Sequence, residues 1–391
     1  MGLEQRNMYS INNTPTVKTT VKVLYITDTM KQRAGVTSVI MNFLSHWQNS
    51  NVSIDIIAYE DSEKEIVEKA EGLGAKVFFM PHLSLKNIQG FIKYYHSFFA
   101  ENHYDIVHSH FNQLDAIVFP IARKHGVRKC ISHSHNTKLS DYKLRAIRNR
   151  IMCFNIAYNA NYLAACSEKA GRVLYGRSFS HRRNKLIIHN GIDCEKFRFS
   201  VENRQQIRNE FGIEDDVVLI GHVGGFRLQK NHIFLVRIFS KLIKENPNYR
   251  LMLVGYGETM DMVKEECHKL GIENNVIFTG ARSDVASLMS AMDIFLFPSL
   301  YEGLGVVLIE AQASGLFCVA SDCVPGDAKV TNNILWLPLK KEEQYWAERI
   351  LEVPSINDSQ RIEAANEVYS NGYDITVEAK RLADFYMSIV D

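Results

Sequence analysis

The chain has 391 residues, of which 46% are hydrophobic and 23% charged, and its formal net charge is +1. This length is enough for two domains that each bury a core, and the composition is that of a globular protein rather than a disordered or fibrous one. No run of about 18 apolar residues is present, which argues against a membrane-spanning helix.

The cysteines and the first residues bear on the compartment. The seven cysteines are scattered without a C-x-x-C pair, and most lie inside apolar runs. We therefore expect reduced thiols in the core of a cytoplasmic protein, and neither a disulfide framework nor a zinc site. Residues 1–20 are polar and lack the apolar segment of a signal peptide, so we expect a disordered tail.

The small net charge hides an uneven distribution. Residues 1–199 contain 27 basic and 16 acidic side chains, whereas residues 200–391 contain 18 basic and 28 acidic ones. Within the first half, residues 123–198 contain 17 basic and 4 acidic side chains. This asymmetry indicates that one half meets an anionic partner such as a membrane surface, a phosphorylated lipid or a nucleic acid.

Strands and helices alternate along the first part of the chain. The patterns predict strands at 21–27, 53–59, 76–80, 106–108 and 129–133, with helices at 36–47, 64–72, 85–101 and 115–125. Such alternation predicts a parallel, doubly wound sheet, in which ligands bind beyond the carboxyl ends of the strands. The loop 28–35 and the segments His108-Ser109-His110 and His133-Ser134-His135 all fall at those ends.

Residues 143–185 are expected to be helical and strongly basic, with apolar residues between the arginines. Ordinary solvated helix faces would explain part of this pattern. The sharper hypothesis is that the basic region 123–198 forms a surface for anionic lipid.

A second alternating series follows. A strand at 186–188 leads into a turn, and residues 195–216 are predicted to be a polar linker. Strands are then expected at 217–223, 250–254 and 276–278, with helices at 260–270 and ending near 291. Two similar doubly wound halves with a cleft between them are the architecture that this pattern predicts.

The segment 294–321 contains the densest group of candidate binding residues. A strand at 294–297 ends at a loop, a helix is predicted at 306–313, and a strand at 317–321. Gly303 and Gly305 precede the helix, whose unpaired N–H groups and positive dipole end attract phosphate. Glu302 and Glu310 flank that helix start, which suits a ligand with both hydroxyls and phosphate, such as a nucleotide-sugar. The alternative is an ordinary glycine-led helix start with solvated carboxylates.

The chain resembles the retaining GT-B glycosyltransferases with two Rossmann-like domains, in particular those of capsule and exopolysaccharide synthesis. The resemblance covers nearly the whole chain and rests on the order and spacing of several motifs: Ala34-Gly35, H-S-H-N-T at 133–137, H-N-G-I-D at 189–193, G-H-V-G-G-F-R-L-Q-K-N-H at 221–232, L-V-G-Y-G at 253–257 and the Glu-x7-Glu pair Glu302 and Glu310. It implies an N-terminal acceptor-binding domain at 21–199, a nucleotide-sugar-binding domain at 200–372, and a C-terminal helix, 373–391, that packs back on the first domain.

The resemblance also implies roles for residues of the second domain. Glu302 would bind hydroxyls of the donor sugar, and Gly303, Leu304 and Gly305 would present backbone N–H groups to the sugar and diphosphate. Glu310 would hold the ribose. Lys230 would neutralise the departing diphosphate.

In the first domain, Gly35 would let the first loop approach the donor phosphates closely, because it has no Cβ. A histidine of that domain would face the donor sugar. The register leaves His133 and His135 both open, with His133 preferred, and either one could instead be a structural histidine. The sequence departs from the family at Gly225, where an arginine that contacts the diphosphate is usual. We hypothesise that Arg227 supplies the missing guanidinium.

The resemblance implies a retaining transfer from a nucleotide-sugar, for which we expect a UDP- or GDP-linked donor. The basic region 123–198 suggests the further hypothesis of an acceptor saccharide on a lipid diphosphate carrier at the inner face of the membrane. No Asp-x-Asp appears near the proposed site, so we expect metal-independent transfer and no cofactor. Two alternatives stay open: a catalytically weak partner subunit, suggested by Gly225, and a nucleotide-sugar epimerase. We do not expect nucleic-acid binding, since no aromatic-basic motif is present.

Overall fold

The computed structural model describes residues 20–31, 34–47, 51–84, 86–135, 148–149, 152–153 and 155–390. In these ranges the strands form two separate sheets, and every strand pair is parallel. The expected tail, residues 1–20, lies outside them except for its last residue.

The first half of the chain builds a seven-stranded sheet. Its strands are β1 (Val21–Ile26), β2 (Val52–Tyr59), β3 (Val77–Met80), β4 (Ile106–Ser109), β5 (Lys129–Ser134), β6 (Tyr162–Ala165) and β7 (Lys185–Ile187). Its helices are α1 (Gly35–Ser45), α2 (Lys64–Gly72), α3 (Ile88–Glu101), α4 (Asp115–Lys124), α5 (Ile156–Asn159) and α6 (Glu168–Tyr175). The strand order is β3-β2-β1-β4-β5-β6-β7. The order reverses between β1 and β4, where such sheets bind ligands.

The second half builds a six-stranded sheet. Its strands are β8 (Val218–Val223), β9 (Tyr249–Val254), β10 (Val276–Gly280), β11 (Ile294–Phe297), β12 (Phe317–Ser321) and β13 (Ile334–Leu337). The helices are α7 (Val201–Glu210), α8 (His232–Glu245), α9 (Met260–Leu270), α10 (Val285–Ala291), α11 (Val306–Ala313), α12 (Glu343–Leu351), α13 (Asp358–Val368) and α14 (Ile375–Val390). The order is β10-β9-β8-β11-β12-β13, with the reversal between β8 and β11.

Both sheets are covered on both faces, as their continuous apolar strands predict. In β1, Val23 and Tyr25 pack into one core while Leu24 and Ile26 pack into the core on the opposite face. The second sheet separates two cores in the same way. The expected fold of two doubly wound, Rossmann-like domains is therefore confirmed.

The last helix returns to the first sheet. The backbone N–H of Ile192 donates to the Tyr373 carbonyl and the N–H of Ile375 donates to the Ile192 carbonyl, each over 2.8 Å. A Cβ on Gly191 would lie 2.8 Å from the Cα of Ile375, so only glycine allows this close approach. From there α14 packs into the core that contains Val23 and Tyr25, which confirms the expected crossing.

The prediction that residues 143–185 are helical is right for only part of the described segment, which contains α5, α6 and also a strand. Residues 162–165 form β6, a strand between β5 and β7, and α6 covers only 168–175. The segment Tyr162-Leu-Ala-Ala has residues with high helix propensity, but burial between two strands overrides that preference. Residues 143–147 lie outside the described ranges.

The predicted linker 195–216 is also wrong, because it contains α7. Ser200 caps this helix by accepting a hydrogen bond from the backbone N–H of Asn203. The side chain of Arg208 is buried and donates to the backbone carbonyls of Glu214 and Val217, each over 2.6 Å. A polar sequence thus forms a packed helix through one buried arginine rather than through an apolar face.

A second buried arginine, Arg361 in α13, fixes the ends of two helices. Its guanidinium donates to the carbonyl of Ser314, which follows α11, and to those of Met289 and Met292 at the end of α10. Cations are favourable at these negative helix ends. Arg361 therefore holds the far end of the helix on which the candidate binding residues lie.

Six of the seven cysteines are buried free thiols, and Cys323 is exposed. This confirms reduced core thiols for six positions. None of the helices within the described ranges is long and apolar enough to span a bilayer.

Candidate active site

The loop after β11 brings the Glu-x7-Glu segment to the carboxyl edge of the second sheet. The strand ends before Pro298, and α11 begins after Gly305, whose φ of 83° is in the left-handed region that favours glycine. Leu304 is 3% exposed and anchors the loop in the core. The first-turn amides of α11 lie at this edge, and such amides have no partners within their own helix.

Glu302 and Lys230 form an ion pair beside this helix start. Lys230 Nζ lies 2.7 Å from Glu302 Oε1, and Gln229 Nε2 donates to the other oxygen over 3.2 Å. The ammonium also lies 4.8 Å from the centre of the Phe297 ring. Glu302 is only 7% exposed, so the pair keeps a buried carboxylate compensated in the protein without ligand.

The glycine pair at 224–225 lies next to Lys230. A Cβ on Gly224 would be 3.3 Å from Lys230 Cε and 3.1 Å from His222 Nε2, which is tight. A Cβ on Gly225 would meet only Tyr256 O at 3.7 Å and Arg227 Nε at 3.8 Å, which are ordinary contacts. The structure therefore has room for a Cβ at Gly225, and the guanidinium of Arg227 lies beside that position.

Glu310 lies on α11, four residues after Val306, the first residue of the helix. It is half-buried, and burial raises the pKa of its carboxyl to about 7, while the positive charges of Lys196 and Lys230 pull it down. We call Arg227, Lys230, Glu302 and Glu310 the charged cluster. All four belong to the second domain.

Four histidines meet at the carboxyl ends of β4 and β5 in the first domain. The rings of His108, His110, His133 and His135 are stacked or tilted against one another, with neighbouring centroids 4.0 to 5.2 Å apart. We call these four side chains the imidazole cluster. His133 and His135 have centroids 4.0 Å apart, so both lie on the same side of their segment.

Burial keeps the imidazole cluster uncharged. Desolvation lowers the pKa of His108 to about 3 and that of His135 to about 4, and it lowers the pKa values of His110 and His133 well below the usual range. Except for His135, each ring is also disfavoured as a cation by its neighbours. The cluster therefore presents neutral donors and acceptors at physiological pH.

A hydrogen-bonded chain connects His133 to the C-terminal helix. His108 Nε2 lies 3.1 Å from His133 Nδ1, and His108 Nδ1 is hydrogen-bonded to the hydroxyl of Tyr386 in α14. The Tyr386 hydroxyl lies 3.1 Å from that of Tyr25. Because each ring nitrogen is either a donor or an acceptor, this chain couples the tautomer of His133 to Tyr386.

The two domains approach each other at the loop between β11 and α11, which contains Glu302 and Gly303. A Cβ on Gly303 would lie 2.9 Å from the backbone carbonyl of His135. The charged cluster and the imidazole cluster therefore lie on facing sides of one cleft. Gly35 is the first residue of α1, and a Cβ there would meet nothing within 4 Å. Residues 32–33, just before it, lie outside the described ranges.

Sequence reasoning missed several residues of this cleft. His108 and His110 extend the imidazole cluster, Gln229 binds Glu302, and Tyr386 reaches the cluster from the far end of the chain. The repeated His-Ser-His at two neighbouring strand ends was a signal for the histidines. No local pattern pointed to Tyr386.

Comparison with known proteins identifies the family to which the chain belongs. Residues 33–196 match the family described as "Glycosyltransferase Family 4", and residues 203–369 match "Glycosyl transferases group 1". EpsF of Bacillus subtilis, named as a glycosyltransferase, is 31% identical over 93% of this chain and 96% of its own. The chain belongs to the GT-B glycosyltransferases.

Other relatives carry more specific names. This glycosyltransferase is 24% identical to the "Capsular polysaccharide biosynthesis glycosyltransferase CapH" of Staphylococcus aureus, over 94% of this chain and 99% of CapH. It is 23% identical to the "UDP-Gal:alpha-D-GlcNAc-diphosphoundecaprenol alpha-1,3-galactosyltransferase" of Escherichia coli, over 81% and 84% of the two chains. Anabaena Alr3699/HepE, solved in complex with UDP, superimposes with a TM-score of 0.77 at 19% identity over 94% and 100% of the chains, a likeness that shows the fold.

Proposed function

We propose that this glycosyltransferase moves a sugar from a UDP- or GDP-linked donor to a saccharide on a lipid diphosphate carrier during polysaccharide synthesis. The observation that carries the proposal is the Lys230–Glu302 pair beside the helix start after Gly305, facing His135 across the cleft. Names of relatives support the substrate classes: HepE was solved with UDP, and the Escherichia coli enzyme acts on a diphosphoundecaprenol-linked sugar.

The charged cluster would stabilise the leaving diphosphate. Negative charge grows on the phosphate oxygens as the glycosidic bond breaks, and fixed cations and amides aimed at that charge lower the barrier. Lys230 pairs with Glu302, which lies four residues before Val306, the first residue of α11. Arg227 adds a second cation, and its Nε lies 3.8 Å from where a Cβ of Gly225 would be. These groups occupy the role that a metal ion has elsewhere, so we propose metal-independent transfer.

The first domain would contact the sugar without charge. A neutral imidazole at His133 donates or accepts one hydrogen bond from a sugar hydroxyl, and His133 Nε2 is buried without a partner in the described part of the chain. Glu302 would leave part of its pairing with Lys230 to accept hydrogen bonds from the sugar. We propose retention of the anomeric configuration, with the acceptor attacking from the side that the diphosphate leaves.

A basic surface would receive the acceptor's carrier. Lys169, Arg172 and Arg177 line an open pocket, whose lining also includes Glu168 of the same domain and Asp327 of the second domain. The hypothesis of an anionic-membrane surface over residues 123–198 predicts peripheral binding at the inner face of the membrane. Sedimentation with vesicles of anionic lipid at low salt tests it, and an absence of co-sedimentation would rule it out.

A thermal-shift panel followed by a transfer assay tests the proposed function. UDP or GDP and their sugar conjugates should raise the melting temperature, because a ligand that binds the native state stabilises it. Lys230→Met should abolish that shift, whereas Lys244→Met, a change at an exposed residue, should keep it. No shift with any nucleotide would overturn the proposal.

The same assay separates the alternatives. Transfer to a lipid-linked acceptor supports the transferase. Binding of the donor without transfer or hydrolysis would favour a partner subunit. Conversion of the donor sugar without any acceptor would favour an epimerase.

A further inference from the structure

The imidazole cluster has the composition of a metal site. His108, His110 and His133 each offer one ring nitrogen, and the three nitrogens lie within 4.8 Å of one another in a buried position. Three neutral imidazoles with no carboxylate among them are a ligand set that transition metals such as Zn²⁺, Co²⁺, Ni²⁺ and Cu²⁺ prefer, whereas Mg²⁺ and Ca²⁺ require oxygen ligands.

One of the nitrogen–nitrogen distances is close to the value that coordination needs, and the three ligand atoms lie within 4.8 Å, so the His110 ring would have to approach the other two on binding. His108 Nε2 and His133 Nδ1 lie 3.1 Å apart. Two nitrogens bound to one tetrahedral zinc ion at about 2.0–2.1 Å are about 3.3 Å apart. A cation could therefore replace the hydrogen bond between these two rings with a shift of a few tenths of an ångström.

Two of the three ligating rings, those of His108 and His110, are oriented by hydrogen bonds at their other nitrogens. His108 Nδ1 is bonded to the Tyr386 hydroxyl, and His110 Nδ1 lies 2.8 Å from His135 Nε2. Metal-binding histidines usually have such an outer partner, which fixes the ring and its tautomer.

Three ring nitrogens of the imidazole cluster lack a partner. His110 Nε2, His133 Nε2 and His135 Nδ1 are buried, and none of them has a hydrogen-bond partner within the described ranges. Buried polar atoms are nearly always paired in native proteins, so each unpaired one calls for an explanation.

We infer that His108, His110 and His133 form a binding site for one divalent transition-metal cation such as Zn²⁺, with a coordination position left for water or another ligand. The cation would take His133 Nδ1 and separate this ring from His108. Occupancy would therefore break the hydrogen bond from His108 that orients the His133 ring, and we expect this displacement of His133 to inhibit sugar transfer. Metal binding itself does not depend on the proposed function, and only the inhibition does.

Titration of the tag-free, chelator-treated full chain with Co²⁺ tests the inference. Co²⁺ bound by nitrogen ligands in a tetrahedral site absorbs visible light strongly. We expect one equivalent to saturate the signal and Zn²⁺ to displace it. His110→Ala, at the least buried of the three ligands, should weaken binding at least 10-fold, while His268→Ala, a surface histidine, should leave it unchanged.

A second variant keeps the test decisive if His110→Ala fails to fold. Tyr386→Phe retains all three ligands and removes only the outer partner of His108, so we expect affinity to fall about 10-fold. Absence of a saturable one-equivalent signal would overturn the inference. So would binding that neither variant weakens. Metal binding without inhibition would keep the site but contradict the role of His133 in transfer.

Discussion

The two sides of the cleft differ in charge: one has ionised side chains and the other has neutral imidazoles. The second domain contributes the charged cluster, with an ion pair of 2.7 Å between Lys230 and Glu302. The first domain contributes the imidazole cluster, whose rings are neutral because burial lowers their pKa values. Both clusters lie at the carboxyl ends of strands, where the order of a parallel sheet reverses.

This contrast suggests which domain would bind the diphosphate of the donor and which would bind its sugar. In the proposed mechanism, fixed cations of the charged cluster stabilise the leaving diphosphate, and this cluster belongs to the second domain. The neutral imidazoles of the first domain would hold the sugar by hydrogen bonds. The comparison therefore predicts that variants in the charged cluster change turnover more than variants behind the imidazole cluster.

The largest effect is expected from Lys230→Met. Removing this cation takes away charge stabilisation of the leaving diphosphate and also leaves Glu302 buried without its partner at 2.7 Å. We expect turnover to fall by about 10²- to 10³-fold. Steady-state kinetics with a sugar nucleotide measures it, with Lys244→Met as the control. A loss of less than threefold would show that the cation does not act on the leaving group.

Arg227→Ala should have the next largest effect. Loss of one charge-assisted contact worth about 1.5–3 kcal/mol corresponds to about 10- to 150-fold in turnover. A control is Arg250→Ala, on the far end of a neighbouring strand.

The same hypothesis can be tested by moving the guanidinium. Gly225 has room for a Cβ, since such an atom would meet nothing closer than 3.7 Å. The double variant Gly225→Arg with Arg227→Ala should therefore recover at least part of the lost turnover. Full activity of Arg227→Ala alone would contradict the hypothesis that Arg227 replaces the missing arginine.

Behind the imidazole cluster, Tyr386→Phe should have a smaller effect. It removes one neutral hydrogen bond to His108 worth about 0.5–1.5 kcal/mol, or about 2- to 10-fold in turnover. The shift in melting temperature caused by UDP or GDP alone should stay unchanged, because the nucleotide is proposed to bind the charged cluster and not His133. Tyr104→Phe, which removes the bond of another buried tyrosine to Asp55, is the matched control and should keep turnover.

The smallest expected effect is that of Glu310 on how the free energy of unfolding depends on pH. Burial raises the pKa of its carboxyl to about 7 from the ordinary 4.5. Between these values the folded chain keeps a proton that the unfolded chain releases, so this group lowers the free energy of unfolding as pH rises from about 4.5 to 7.

Replacing Glu310 by Gln removes this dependence. We expect the variant to melt at the same temperature as the wild type near pH 4.5 and to be more stable by about 1–2 kcal/mol above pH 7.5, allowing for partial exposure. It should also bind the donor more weakly. A stability difference that does not change with pH would contradict the raised pKa. The control for these measurements of stability against pH is Glu363→Gln, which changes an exposed carboxylate of α13.

Much of the fold followed from the sequence because its strands are continuous apolar runs. The segment 294–321 has the predicted strand, loop, helix and strand, since local signals such as Gly305 and Gly315 agree with tertiary packing there. Residues 162–165 were mispredicted because burial in the sheet outweighs helix propensity. The helix 201–210 was missed because a buried arginine, Arg208, stabilises it in place of an apolar face.

The candidate site was predictable in part for the same reason. The residues of the charged cluster lie within two sequence motifs, so their proximity follows from local pattern. The coupling of His133 to Tyr386 joins residues 253 positions apart through His108, and only the folded arrangement of α14 brings them together. Long-range contacts of this kind leave no periodic signal in a single sequence.

A crystal structure with bound UDP or GDP tests the central claim most directly. The account predicts that the β-phosphate lies within hydrogen-bonding distance of Lys230 Nζ and of the first-turn amides of α11, with the ribose at Glu310. A nucleotide bound elsewhere, with this pocket left empty, would contradict it.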